Sequence, residues 1–330
     1  MKNQNQKIRS NAIRLSVLFL LLIGSTAFAQ QDAMFSQYMF NGLAINPAYA
    51  GTRNVLSTTA LFRKQWVRIP CSPTTETFTV DGPFSRKKKG GLGLNLINDK
   101  IGVTNSLGIY GVYAYRVKIK RNKTLSFGLQ AGVSQYRANF TSVSLTRDVA
   151  NQYDAAYENN IKRWNANFGF GMYYYTKKFY AGLSIPHFIP GKLISKIKSS
   201  SNYYETFISD KDKAHQYAHA FLTAGYVIKI KKDIKLKPSV LVKYVYGAPI
   251  ELDLNANVWF YDIVSAGLSF RTADAILVMF EVQANKQWRI GYSFDYSYTR
   301  LRKYNSGTHE IMLRYEFSYE RAKLLTPRYF

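Results

Sequence analysis

Beyond Gly24 the chain holds no apolar run that could cross a bilayer as a helix, which takes roughly 18 or more such residues. Cysteine is nearly absent. Cys71, in the loop "RIPCSP", is the only one, so no internal disulfide can staple the fold. Histidine is scarce too, with His187, His215, His219 and His309 the full complement. Acidic residues number 20 against 45 Lys and Arg, a net charge of +25. These shortages exclude a helical membrane bundle, a disulfide-built secreted domain and zinc modules held by spaced cysteines.

What is present starts with an export signal. Lys2, Lys7, Arg9 and Arg14 precede a short apolar run, "LSVLFLLLIG" from Leu15 to Gly24, and "AFA" at Ala27 to Ala29 supplies small-x-small cleavage chemistry. The expectation is a cleaved segment at 1–29 and a mature chain from Gln30. No cysteine follows the run, so lipidation there is excluded. Removing the four basic residues takes the net charge from +25 to +21. An exported chain has little use for nucleic acid, so lipid phosphates or an acidic protein are the fitting partners for that charge.

Period-two alternation recurs along the mature chain. In "IELDLNANVWFYD", Ile250, Leu252, Leu254, Ala256, Val258 and Phe260 share one face, and Glu251, Asp253, Asn255 and Asn257 the other. "QWRIGYSFDYSYT" and "HEIMLRYEFSYE" repeat the pattern. Such strands exceed the usual length of soluble sheets and suit a tilted bilayer crossing of roughly 9–11 residues. Fourteen candidates begin near Val55, Thr74, Gly90, Thr104, Lys123, Trp164, Phe179, Gln216, Ile234, Ile250, Ile263, Ala275, Gln287 and Thr308. Alternation alone does not say which face is inside.

Connection lengths add a constraint. The fifth, seventh and thirteenth connections are long, whereas "KK", "KKD" and "NK" make short turns at even positions. Long loops on one side and short turns on the other, with an even strand count, describe an outer-membrane barrel. The 26 Tyr and 21 Phe include clusters such as "GMYYYTKKFYAG", suited to interfacial aromatic girdles. The expected fold is therefore all-β: a transmembrane outer-membrane β-barrel of about 14 antiparallel strands over 55–320, followed by a tail at 321–330. The short-turn side is basic. Arg86, Lys87, Lys88, Lys89 and Arg121 either are simply solvated or face an acidic partner across the periplasm.

Catalytic chemistry is hard to find. His215 and His219 are spaced as metal ligands on a helix would be, but they lie in strand pattern, where both point to the polar face. "GGLGLN" lacks the spacing and following helix of a phosphate loop; its glycines, like those of "GLQAG" and "GFGMYYY", let bulky neighbours pack or the wall bend. No cofactor, metal or catalytic set is expected.

The first mature residues, 30–54, stand apart from the strands. Phe35, Tyr38 and Met39 fall at i, i+3, i+4, a short apolar helical face. Asn46 before Pro47 is pushed out of the helical region, Tyr49 follows, and Gly51 gives a second point of freedom. This segment is expected to be an N-terminal plug, or hatch.

"FSQYMFNGLAINPAYAGTRN" (Phe35 to Asn54) resembles the opening of the PorP/SprF family of type IX secretion system membrane proteins of Bacteroidota. The likeness continues through "KQWVRIP", "GLGLNLINDKIG", "LSFGLQAGVSQY", "KKFYAGLSIPH", the stretch Phe221 to Phe260, "RIGYSFDYS" and "GTHEIMLRYEF". It implies a non-enzymatic outer-membrane barrel that works with the type IX machinery. One branch contacts a periplasmic, peptidoglycan-linked lipoprotein, and another helps secrete or anchor large gliding adhesins. "NPAYAG" also resembles the hatch of long-chain fatty-acid transporter barrels, which makes a solute transporter or porin the alternative. A barrel enzyme comes third.

Overall fold

The computed structural model describes residues 34–84, 89–142, 160–192 and 215–317. Fourteen strands follow one another: β1 Leu56–Lys64, β2 Thr74–Pro83, β3 Gly90–Ile101, β4 Thr104–Lys120, β5 Lys123–Ala138, β6 Ile161–Tyr175 and β7 Phe179–Ile185. The second half adds β8 His219–Tyr226, β9 Ile234–Val245, β10 Glu251–Phe260, β11 Val264–Arg271, β12 Ala275–Gln283, β13 Trp288–Ser297 and β14 Thr308–Phe317. Each pairs antiparallel with its neighbours in sequence, and β14 returns to β1 with Leu56 opposite Phe317 and Lys64 opposite His309. The sheet is therefore closed, and no long edge is left unpaired.

The strand starts read from alternation lie within three residues of those observed. One of the two largest differences has a topological cause. His215–Gln216 does not open β8; it pairs with Gly191–Lys192 in a separate two-residue ribbon above the wall, and β8 begins at His219.

Burial decides which face is inside. Asp253, Asn255, Asn257, Arg289, Ser293, Asp295, Glu310 and Arg314 are buried, whereas Leu254, Phe260, Leu268, Ile290, Ile311 and Leu313 are exposed. The polar face lines the lumen and the apolar face is turned outward, the reverse of a soluble barrel and the arrangement a lipid solvent demands. Exposed aromatic rings mark both rims: Tyr115, Phe260, Trp288 and Phe317 at one end, Trp164, Phe188, Tyr246 and Tyr298 at the other. The cluster "GMYYYTKKFYAG" is divided between the faces. Tyr174 and Phe179 pair on the outside, 6.2 Å apart, while Tyr173 and Tyr180 are buried in the lumen, 5.8 Å apart.

Connections of even rank are short, as at Arg121–Asn122 and Tyr261–Ile263, and those after β5, β7 and β13 are long. The two ends of the barrel are called the short-turn end and the long-loop end below. Both ends of the sheet, Leu56 and Phe317, lie at the short-turn end. Residues 1–33, 85–88, 143–159, 193–214 and 318–330 lie outside the described residues, and with them the export signal, Arg86, Lys87, Lys88 and the C-terminal tail.

Candidate functional site: the N-terminal segment in the lumen

Residues 34–54 run through the lumen from the long-loop half to the short-turn rim before entering β1. The expected helical face does not form. Phe35 to Phe40 is a turn closed by the Phe40 amide on the Gln37 carbonyl (2.9 Å), followed by two single 3-10 turns, Gly42–Ala44 and Pro47–Tyr49. A helix would bury one stripe, but wall surrounds this segment, so Phe35, Tyr38, Met39 and Phe40 are all buried.

Its first half is fastened by charge. The Ser36 and Gln37 amides donate to the two carboxylate oxygens of Glu310 at 2.8 and 2.7 Å, and the Ser36 hydroxyl donates to Asp295 at 2.6 Å. Arg63 completes the group, 2.8 Å from Asp295 and 3.1 Å from Glu310. Arg271 pairs with Asp253 at 3.0 Å and donates to the Phe35 carbonyl at 3.2 Å, and the Asn255 amide donates to the Tyr38 hydroxyl at 2.6 Å. These carboxylates are acceptors that a turn with open amides needs, and the arginines offset the cost of burying them.

The second half is fastened by shape. Asn46 is extended (φ −142°, ψ 111°), as the residue before a proline must be, and its side-chain oxygen caps the Ala48 amide at 2.9 Å. Its Nδ2 donates to the Met172 carbonyl at 3.0 Å, and the Ser184 hydroxyl donates to the Ile45 carbonyl at 2.6 Å. Around these residues the wall is cut back to glycine. A Cβ on Gly128 would lie 2.1 Å from the Ala48 nitrogen, one on Gly91 2.1 Å from the Ala50 oxygen, and one on Gly171 2.2 Å from Asn46 Oδ1. Within "GGLGLN", "GLQAG" and "GFGMYYY", Gly91, Gly93, Gly128 and Gly171 thus clear a path for the segment. Gly90, Gly132 and Gly169 of the same stretches instead make room for neighbouring wall residues, Phe84, Tyr110 and Pro186, as expected from the sequence.

Tyr49 packs edge-on against Tyr173 at 5.5 Å, and Arg53 lies over the Tyr49 ring while donating to the Phe40 carbonyl at 2.8 Å. Gly51, at φ +68°, donates its amide to Asp81 at 2.8 Å, and Arg116 donates to the Gly51 carbonyl. All seven residues expected to form the hatch, Phe35, Tyr38, Met39, Asn46, Pro47, Tyr49 and Gly51, are buried in the lumen. The wall residues that hold them, Arg63, Asp81, Arg116, Asp295 and Glu310, were missed by sequence reasoning. The available signal was charge in mid-strand on the polar face, of both signs.

Two cavities flank the segment. One of about 480 Å³ at the long-loop end is lined by Met34, Ile97, Tyr110, Tyr136, His187 and Lys243 among others; one of about 390 Å³ lies at the short-turn end beside Asn54 and Arg116. Lys89 borders the second, and Arg121 is exposed on the adjoining turn. His219 points inward, its Nδ1 3.0 Å from the Tyr217 carbonyl, while the side chain of His215 lies outside the described residues. No group of His, Cys, Asp and Glu among the described residues is arranged to hold a metal ion.

A closed antiparallel wall with an apolar exterior, aromatic rims and a polar, chain-filled lumen defines an outer-membrane β-barrel. The sequence goes further than the fold. The family model described as "Type IX secretion system membrane protein PorP/SprF" matches residues 27–315, and the chain belongs to that family. No protein of curated function matches it. Solved structures similar in fold include the CymD monoaromatic hydrocarbon channel (13% identity, TM-score 0.48, 91% of this chain and 96% of that one). A Pseudomonas aeruginosa FadL homologue (12%, 0.44, 88% and 96%) and the Acinetobacter baumannii outer membrane protein Omp33 (8%, 0.44, 80% and 98%) are further examples. Family and fold are those of a secretion-system barrel rather than of an enzyme.

Proposed function

We propose that this barrel is a non-enzymatic component of the type IX apparatus that assists secretion or surface anchoring of a large cargo such as a gliding adhesin. In this reading residues 30–54 are a plug, the short-turn end faces the periplasm, and the long loops meet cargo outside the cell. The basic short-turn ring of Arg86, Lys87, Lys88, Lys89 and Arg121 meets a periplasmic component there, such as a peptidoglycan-linked lipoprotein. The observation that carries the reading is the family match across 27–315, joined to a lumen occupied by the chain's own N-terminus. A wall tailored in glycine to hold a segment supports a scaffold more than a free diffusion pore. Deleting the gene and profiling secreted and surface proteins tests it: cargo retained inside the cell supports the role. An unchanged profile, in a genome with no other family copy, removes it.

A second reading, an outer-membrane transporter, is favoured by the cavity at the long-loop end, whose lining includes Met34, Ile97, Tyr110, Phe221 and Leu241. It requires solute uptake or conductance by the purified barrel.

A further inference from the structure

The short-turn cavity differs from the rest of the lumen in its charge balance. Elsewhere most buried arginines of the wall face carboxylates: Arg63 has Asp295 and Glu310, Arg271 has Asp253, and Arg289 has Glu281 at 2.8 Å, while Arg314 is held by the Thr59 hydroxyl and the Met312 sulfur. Arg116 faces no carboxylate among the described residues. It is buried, and its guanidinium donates only to neutral oxygens: the carbonyls of Gly51 and Gly90 and the side chain of Asn54. Its Nε–H, also buried, has no acceptor among the described residues. Lys89 and Lys118 are exposed on the same rim, and no carboxylate lies within ion-pair distance of either among the described residues. The alternation of the strands turns Lys89, Arg116, Lys118 and Thr124 toward the lumen. Three cations thus converge on a recess of about 390 Å³ with no acid among its described lining residues.

We infer that this recess is a binding site for the carboxylate side chains of an acidic peptide segment presented from the short-turn side. Burying an unpaired guanidinium is costly unless an anion completes it, and Thr124 adds a hydroxyl donor at the same mouth. Lipid headgroups fit less well: Tyr115 and Val117 border the recess from the outward face, but its cations, Lys89, Arg116 and Lys118, belong to the lumen face of the wall. A lone phosphate would leave most of the volume empty, whereas an acidic side chain and its flanking backbone fill it. Because Arg116 also holds Gly51 and Asn54, the peptide would dock on the residues that anchor the N-terminal segment. The identity of the protein that carries the peptide rests on the secretion reading; the anion site stands on its own geometry.

The test uses the full-length barrel in zwitterionic nanodiscs and a fluorescent oligoglutamate peptide. Lys89→Glu/Lys118→Glu changes two exposed side chains, and unchanged heat-dependent gel migration certifies the fold. Wild-type protein is expected to bind with an affinity that falls with salt, and the double variant to bind about tenfold more weakly. Equal binding by the variant overturns the site. Displacement of the peptide by inorganic phosphate at matched ionic strength, at the peptide's own concentration, assigns the recess to free phosphate and overturns the peptide. Loss of binding in anionic-lipid nanodiscs assigns it to headgroups with the same consequence. Loss of peptide binding by the variant with cargo secretion intact in a deletion strain sinks the secretion reading alone; the reverse combination sinks the site alone.

Discussion

Arg63 on β1 and Asp295 on β13 pair at 2.8 Å across the intervening strand β14, with both side chains almost wholly buried. The pair is one link in a longer chain: Asp295 also lies 3.8 Å from Arg271, which holds Asp253 on β10. The N-terminal segment sits on this chain through Ser36 and Phe35. Charges in the lumen wall therefore bind strands that are not neighbours and the segment between them.

Arg63→Ala tests that arrangement. It leaves Asp295 and Glu310 buried without their common cation, a change that costs about 3–5 kcal/mol when a buried pair is broken. The expected result is a barrel that still inserts but melts earlier, read as a lower temperature of the folded-to-unfolded gel shift in detergent. Arg63→Lys should recover part of the loss, because it restores charge without the fork that reaches both acids. Equal melting of wild type and Arg63→Ala would show the cluster to be energetically neutral.

Gly128→Ala separates wall from segment. Its Cβ would meet the Ala48 nitrogen at 2.1 Å, whereas a Cβ on the outward Gly111 has nothing nearer than 3.9 Å. Gly128→Ala should expose the segment to added protease with the barrel intact, and Gly111→Ala should not. Equal protection in both variants counts against a tight seat for residues 47–49.

The strands were legible because lipid outside and polar residues inside impose period two over long stretches, as at Leu252 to Phe260. The direction of the faces was not, since alternation is symmetric under inversion. Asp253, opposite Arg271 on the adjacent strand, offered a local clue, and Asp295 could have settled it had it been matched with Arg63 two strands away. That second pairing depends on closure, and β1 meets β14 only in three dimensions. The hatch residues were visible as an Asn-Pro turn with apolar neighbours, but the seat was not: a glycine in a strand looks the same whether it bends the wall or makes room for another chain. His215–Gln216 misled for a simpler reason, because a two-residue ribbon has too few positions to show any period.

Leu268 lies outward near the middle of β11 and is well exposed on the bare wall. Leu268→Lys should destabilise the inserted barrel by about 2–4 kcal/mol if that position is near the bilayer midplane. Ser269→Lys, one residue along and pointing into the lumen, places the same charge in a polar interior and serves as the contrast. Denaturant unfolding in vesicles measures both. A larger loss from Leu268→Lys than from a lysine at the strand end supports the lipid-facing assignment, and depth-independent losses reject it.

Reversing the short-turn charges addresses the partner. Changing Arg86, Lys87, Lys88 and Lys89 together to Glu reverses the charge of this stretch, including Lys89 at the mouth of the recess. Pull-down of periplasmic proteins should lose its main partner, with a steep salt dependence for the wild-type interaction. Unchanged recovery would leave those residues as solvated turn positions that only protect the rim.

Removing Gln30 to Gly51 asks what the segment is for. The closed ladder from β1 to β14 does not depend on it, and Arg63 keeps Asp295 and Glu310 as partners when Ser36 and Gln37 are gone. The truncated barrel should therefore reach the membrane and show heat-dependent migration. Its lumen, now lined by unfilled polar side chains and the bare glycines at 91, 128 and 171, should admit water. In planar bilayers the expected outcome is steady ion conductance from the truncated form and little from the full chain. In cells, the expected outcome is loss of cargo from the surface despite normal barrel levels. Conductance without a secretion defect would make the segment a plug that export does not need, and wild-type secretion together with unchanged conductance would refute both roles.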